Sequence, residues 1–511
     1  MKSTRKNPLI LEKILKKIML LCVLLTITGP AQGRELAVCD DVSDPLTLDP
    51  QRQFSEKTQA VCQQIFDGLV RFDPDGKIEP ALAVSWERVD ATRLRFRLRQ
   101  GVVFHNGEPF DSGSVKFSIE RYLDPKTGYP GLPFINSVSH AEIVDTYTVD
   151  LVTKYPDSIL LNRLAGLIFM SPPGYVKEKG AEYFAGHPVG TGPFVFENWE
   201  KGGSIRLSAN KAYWQKGFPK VDGLVFKFIP YEKQLKALFS GEVDLLTDLP
   251  GTQTLKVTAN PGLTVLKKAA LYTMPFTLNL SSGPLSDIDV RKAINYAVDK
   301  ENLIRYDLLG NGKPIATLSM AGETGHNSSL KPYEYDPVKA RKLLAKAGYP
   351  NGFSMNFMVK KNAERTAKIV ASDLKKIGVN LKLTLVSDAD MISEFKSGKY
   401  DIFVGDVPDP MAHAYFVQAI VLFTGSPYAW GGDLKFDGLL ARMVAAVEPG
   451  ASEKLAEELD RYVYENAMSL FTYQKTAIYG LSKDLRFVPS VLRVPYFREA
   501  YFYENNGKKK S

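Results

Sequence analysis

Asp406 and Asp409, three residues apart in the segment YDIFVGDVPDPMAHAYF, have the right chemistry to hold an amine, because an ionised carboxylate accepts charge-assisted hydrogen bonds from it. The complementary cations are Lys360 and Lys361 at the end of an alternating strand, with ordinary solvated lysines as the alternative. Aromatic side chains give large contact area at low entropic cost, and four are placed for it. Tyr428 and Trp430 stand in the glycine-rich stretch SPYAWGG, and Phe54 stands in a loop before a helix read over residues 58–69. Tyr272 lies on a strand where core packing is an equal alternative. A carboxylate for an ammonium, a cation for a carboxylate and apolar walls together suit non-covalent recognition of a peptide-like molecule.

Motifs for covalent chemistry are missing from the sequence. It has no Gly-x-Ser-x-Gly, His-Glu-x-x-His or Cys-x-x-Cys, and its five histidines are widely dispersed. No catalytic residue, metal or cofactor is therefore expected. The glycines of GTGPF at 190–194 lack both the third glycine of a dinucleotide fingerprint and the Gly-Lys-Ser/Thr of a phosphate loop, so they read as a tight turn.

The elements that must position these residues are clearest between 353 and 405. Phe353, Met355, Phe357 and Val359 alternate as a strand, and Ala367, Val370, Leu374 and Ile377 follow at helical spacing, stopped by Gly378. Val379, Leu381, Leu383 and Leu385 alternate again, and a short helix at 391–396 leads to a last strand at 400–404. Such a βαβαβ order implies a parallel sheet whose ligands sit at the carboxyl ends of the strands, which is where Lys360 and Asp406 fall. Asp336-Pro337 opens another helix as N-cap and first-turn proline, residues 289–309 read as one amphipathic helix, and Ser452 reads as the cap of a long one. Near the other end, Leu94, Phe96 and Leu98 alternate with Arg93, Arg95, Arg97 and Arg99. One face of that strand is thus buried, and the arginine face is either solvated or a basic docking surface.

The chain has 511 residues, 44% of them apolar and 24% charged, which suits a globular protein of several domains. Lys13, Lys16 and Lys17 precede an apolar run at 18–27 that is too short to span a bilayer, and small residues follow up to Gly33. Residues 1–33 are therefore expected to be a cleavable signal peptide, without a lipobox because Leu20 and Leu21 precede Cys22. That segment carries +5 of the formal charge of +8, so the remainder gives little electrostatic support for nucleic-acid binding. Cys22 leaves with the signal peptide, and Cys39 and Cys62 remain in an oxidising compartment. A disulfide between them is expected, with two buried thiols as the alternative.

Four stretches resemble, in order, the motifs of the family 5 extracellular solute-binding proteins of peptide and nickel ABC importers. They are the segment at 83–124, which contains LRFRLRQGVVFHNGEPFDSGSVKFSIERYL; GTGPF with AYW and SGEVDLL; VRKAINYAVDKENLI; and YDPVKARKLLAKAGYPNGF. The resemblance implies an α/β architecture of the periplasmic-binding-protein type II-like kind, with mixed sheets in two main lobes, an extra smaller domain and a ligand cleft between the lobes. Lobe I would comprise 34–73, 186–274 and 481–511, the small domain 74–185, and lobe III 275–480. By the same resemblance Phe54 borders the cleft, and an aspartate before an Asp-Pro pair holds a ligand ammonium. Here Asp409-Pro410 supplies the pair and Asp406 the aspartate. The family's tryptophan is absent and the connection is shorter, so Asp409 either shares the site or caps the next helix. The implied function is a periplasmic, monomeric subunit of an ABC importer that captures a short peptide by lobe closure and passes it to permease subunits in the inner membrane. The alternatives are a nickel chelate, haem, an opine or an oligosaccharide as ligand, a chemoreceptor as partner, or a hydrolase or chaperone on the same fold.

Overall fold

The computed structural model describes residues 34–40 and 44–503. The expected signal peptide, with Cys22, lies outside the described residues. Four antiparallel strands in the order Ala83–Asp90, Arg93–Leu98, Thr148–Thr153 and Val138–Asp145 form one sheet. Leu94, Phe96 and Leu98 are buried in its core, as period-two alternation requires. The arginine face is solvent-facing, with Arg97 60% exposed, but its charges are paired and do not form an open basic surface. Arg95 lies opposite Asp150 in the register and grips it with two bonds of 2.8 and 2.9 Å, while Arg93 reaches Asp150 and Glu142. Opposite charges facing one another across strands make this face a cross-strand ionic network. Asp111 caps the helix Ser112–Leu123 by accepting from the Ser114 amide at 3.0 Å.

A second, five-stranded sheet has the order Val379–Val386, Phe353–Lys360, Ile402–Val404, Phe276–Leu278 and Ser469–Leu470. Its first three strands run parallel, paired from Phe353 with Val379 to Lys360 with Val386, and the helix Glu364–Lys375 buries Ala367, Val370 and Leu374 against them. Gly378 ends the connection at φ +86 and lies so close to Gly352 that a Cβ on Gly352 would meet the Gly378 carbonyl oxygen at 2.0 Å. The third and largest sheet contains Glu35–Cys39, Phe194–Glu200, Ser204–Ala209, Gly223–Lys227, Leu245–Leu246, Leu263–Thr273 and Tyr473–Ser482.

The large sheet corrects several expectations. Tyr473–Ser482 pairs with Leu263–Thr273 from Ser482 opposite Leu263 to Thr476 opposite Ala269, so a boundary at 480/481 would cut a continuous hydrogen-bonded strand. The short strands Gly312–Pro314 and Val407–Pro408 also join this sheet although they fall within 275–480. The segment 74–185 shares its core with residues of 411–471, and the Asn162 side-chain amide donates to the Met411 carbonyl at 2.8 Å. Residues 289–309 form two helices, Ile288–Ala297 and Lys300–Asp307, because the Asp299 carboxylate caps the second by accepting from the Asn302 amide at 2.9 Å. The helix expected over 58–69 runs from Glu56 to Ile65. Gly450 at φ +72, not Ser452, precedes the helix Ala451–Glu465, and the Ser452 hydroxyl instead donates to the Met443 carbonyl at 3.1 Å.

Cys39 and Cys62 are not joined by a disulfide. Both are buried, but in different apolar clusters: Cys62 among Leu48, Val61 and Phe66, and Cys39 among Ala237, Leu246 and Ile478. The Cys62 sulfur points at the Leu48 carbonyl at 3.6 Å, and burial pushes its thiol pKa up, with Asp49 adding to the effect.

Candidate functional site

Gly405-Asp406 follows directly from the strand Ile402–Val404, and Lys360 ends the neighbouring parallel strand, so pairing Val359 with Val404 brings their side chains together. Lys360 Nζ donates to Asp406 Oδ1 at 3.0 Å. Asn362 donates to the same oxygen at 2.8 Å, and the Tyr272 hydroxyl donates to Oδ2 at 2.9 Å. Burial alone would push the Asp406 carboxyl up, but Lys360, Asn362 and Tyr272 outweigh it and hold the group below the ordinary carboxylate range. Burial likewise opposes the charge on Lys360, and Asp406 with Asp388 more than restores it. An ionised aspartate and an ammonium thus stand paired in the wall of a cleft of about 990 Å³, near the upper end for small-molecule sites.

The cleft is built from several separate stretches of chain, among them residues 130–136 and 490–496. The helix Glu56–Ile65 and its preceding loop supply Phe54, Glu56 and Gln59; the region around Leu160–Leu167 supplies Arg163; and residues 403–445 supply most of the far wall. Phe54 stacks on Phe134 with ring centres 5.4 Å apart, and Phe134 packs on Phe416 at 4.9 Å, which lines the cleft with aromatic faces. The Gln59 side chain donates to the Gly166 carbonyl at 2.7 Å and fixes two of these stretches to each other.

Of the residues expected at the site, Asp406, Lys360, Phe54, Tyr428 and Asp409 line the cleft. Asp409 does so with its carboxylate turned inward, accepting from the Met411 amide at 2.7 Å and the His413 amide at 2.9 Å. It is the cap of the turn that follows, and burial pushes its carboxyl up to about 7. Tyr272 stands behind the wall and acts on it through Asp406. Trp430 packs tilted on Phe395 at 4.6 Å and donates from Nε1 to the Phe395 carbonyl at 2.9 Å, so it supports the loop from behind. Lys361 is exposed at the start of the short turn Lys361–Ala363 and does not line the cleft.

Four contributing residues were not read from the sequence. Asn362 lies only two positions beyond Lys360, and its signal was the loop after a parallel strand. Arg163, alone in the apolar helix Leu160–Leu167, is buried with Asp157 at 2.9 Å, and an isolated arginine among leucines is itself a sign of a paired internal charge. Glu56 lines the cleft with its carboxyl pushed up to about 7, first by burial, against the pull of Arg493 and with the push of Asp40, Asp248 and Asp406. The Arg493 guanidinium lies over the Tyr272 ring at 4.7 Å, a contact between residues 221 positions apart that local pattern could not reveal.

Three sheets around one deep cleft, with fixed charges and aromatic walls, define a protein that encloses a small solute. The chain belongs to the bacterial extracellular solute-binding proteins, family 5, whose pattern matches residues 77–426. It is 29% identical over 372 residues to the glutathione-binding protein GsiB of Salmonella paratyphi A, covering 71% of this chain and 72% of that one. The periplasmic binding protein AgaA of A. tumefaciens R10, solved with agropinic acid, is 28% identical with a TM-score of 0.78, over 93% of this chain and 99% of that one. DppA of Helicobacter pylori, solved with the peptide STSA, has the same fold at 24% identity and a TM-score of 0.79, over 92% of this chain and 98% of that one. The fold is that of the type II periplasmic binding proteins, and no helix among the described residues is long and apolar enough to cross a membrane.

Proposed function

We propose that this solute-binding protein, the capture subunit of an ABC importer, takes a short peptide whose charged end is held at Asp406. The supporting observation is the ionised Asp406 in the cleft wall, oriented by Tyr272 and Asn362 and partnered by Lys360. A ligand ammonium would enter the coordination of Asp406, and the aromatic faces of Phe54 and Phe134 would cover the uncharged part of the molecule. Lobe closure would follow from the ligand's greater affinity for the closed arrangement, which the membrane permease then receives. Glutathione-type and other short peptides are the first ligands to try, given the name of the GsiB relatives. The finer parts of the same reading are a signal peptide over 1–33 without a lipobox, a periplasmic location and a monomeric state. Mass spectrometry of molecules released on denaturing freshly isolated protein tests the ligand class. Saturable one-to-one binding of a peptide without product formation supports the reading, and turnover of the peptide or a retained non-peptide ligand overturns it.

A further inference from the structure

The spacing of the two charges in the cleft wall restricts what can satisfy both. A carboxylate offers about four acceptor positions, and Asp406 has three in use, to Lys360, Asn362 and Tyr272. An ammonium offers three donors, and Lys360 has two in use, one to Asp406 at 3.0 Å and one to Asp388 at 3.3 Å. One acceptor position, on Asp406 Oδ2, and one donor, on Lys360 Nζ, therefore remain. Among the described residues that line the cleft, the only other cation is Arg163. It is committed elsewhere: Nε donates to Asp157 at 2.9 Å, Nη1 donates to the Phe134 carbonyl, and both charged side chains are buried. A ligand carboxylate in this cleft thus has Lys360 as its available cation, directly beside the group that takes the ligand's amine.

Covalent geometry then selects the ligand. In an α-amino-acid head the ammonium nitrogen and a carboxylate oxygen lie about 3 Å apart, from ordinary bond lengths and angles. The termini of an extended α-linked dipeptide are separated by roughly 6–7 Å, because the chain advances ~3.3–3.6 Å per residue. An ammonium arriving alone would compete with Lys360 for Asp406 and leave the lysine to Asp388, which is 78% exposed and screened by water. A zwitterionic head gives each side chain a new opposite partner and closes a ring of four alternating charges.

Resting on the peptide-type reading above, we propose that the Asp406–Lys360 pair recognises an undivided α-ammonium and α-carboxylate head. The ligands are then molecules attached through the side chain of that amino acid, and among peptides these are isopeptides such as the γ-glutamyl peptides. The rest of the ligand extends from the head along Phe54, Phe134, Tyr415 and Tyr428, which line the same cleft.

Two isomeric dipeptides, γ-Glu-Ala and α-Glu-Ala, have identical composition and charge and differ only in whether the head is intact. Isothermal titration of both into the full chain should show the γ isomer binding at least about tenfold more tightly. In Lys360→Met, which keeps the length of the side chain, the γ isomer should weaken and the preference should collapse. Equal or tighter binding of the α isomer overturns the proposal, as does a preference that survives Lys360→Met. If neither isomer binds but α-linked peptides from a mixed dipeptide library do, this inference fails while the peptide reading stands. If no peptide binds at all, both fail.

Discussion

Asp406 and Asp409 are three residues apart on the same wall of the cleft, and they have opposite chemistries. Asp406 meets Lys360, Asn362 and Tyr272 and stays ionised below the ordinary carboxylate range. Asp409 turns into the protein, satisfies two backbone amides and is pushed up to about 7 by burial. Beside it, Glu323 is also pushed up, by burial first and then by Asp409, and its Oε1 has no hydrogen-bond partner among the described residues. One aspartate is thus available to a ligand, whereas its neighbour holds the turn in shape, and only their surroundings distinguish them.

The largest expected effect separates the two by ligand affinity. Asp406→Ala should weaken peptide binding by ~100-fold, the loss expected when one member of a partly buried charge pair is removed. Its stability should also fall, by about 1 kcal/mol, because the Tyr272 hydroxyl and Asn362 lose their acceptor. Titration calorimetry checks this, and unchanged affinity would remove Asp406 from the site.

Asp409→Ala should show the reverse, losing stability before affinity. It leaves the buried amides of Met411 and His413 without acceptors, at a cost of about 2–4 kcal/mol by chemical denaturation. If Asp409→Ala instead folds as stably as the parent and fails to bind, the two roles have been assigned to the wrong residues.

The pair should also respond oppositely to pH. Asp409 and Glu56 have folded-state pKa values of about 7, above their unfolded values, so the folded state binds more protons than the unfolded chain between about pH 4 and 7. Their contribution to stability is fully present below that window and is lost as pH rises through 7. Asp406 is depressed, so its contribution is present above the unfolded value and is lost as pH falls through the folded one. Denaturation curves at pH 5 and pH 7.5 should show Asp409→Asn flattening the loss of stability on the alkaline side. The same slope in mutant and parent would count against a raised Asp409.

The contrast also marks how far the sequence could be read. The parallel unit at 353–404 was legible because its hydrophobic period changes from two to 3.6 and back, and those periods follow from the geometry of strand and helix. That unit placed Lys360 and Asp406 at the carboxyl ends of adjacent strands. The joining of Val407–Pro408 to Leu263–Thr273 was not legible, since a two-residue strand has no period and its partner lies more than 130 positions away. The orientation of the Asp409 carboxylate depends on that same crossing. Cys39 and Cys62 show the related limit for pairing: compartment and number allowed a disulfide, but the two side chains lie in separate packing clusters, which local sequence does not reveal.

Trp430 gives the smallest and most specific test of which aromatic residues belong to the cleft. Its indole packs on Phe395 and donates one hydrogen bond to that residue's carbonyl, while Tyr428, two positions earlier, lines the cleft. Trp430→Phe keeps most of the packing and removes the bond, so it should cost about 1 kcal/mol of stability and leave ligand affinity unchanged. Tyr428→Ala should differ by weakening binding several-fold through lost contact area, along with a loss of stability because Tyr428 also packs edge-on against Phe395 at 5.8 Å. If Trp430→Phe were to reduce affinity at constant stability, the loop at 426–432 would have to turn its indole toward the ligand on closure, and the wall described around Asp406 would be incomplete.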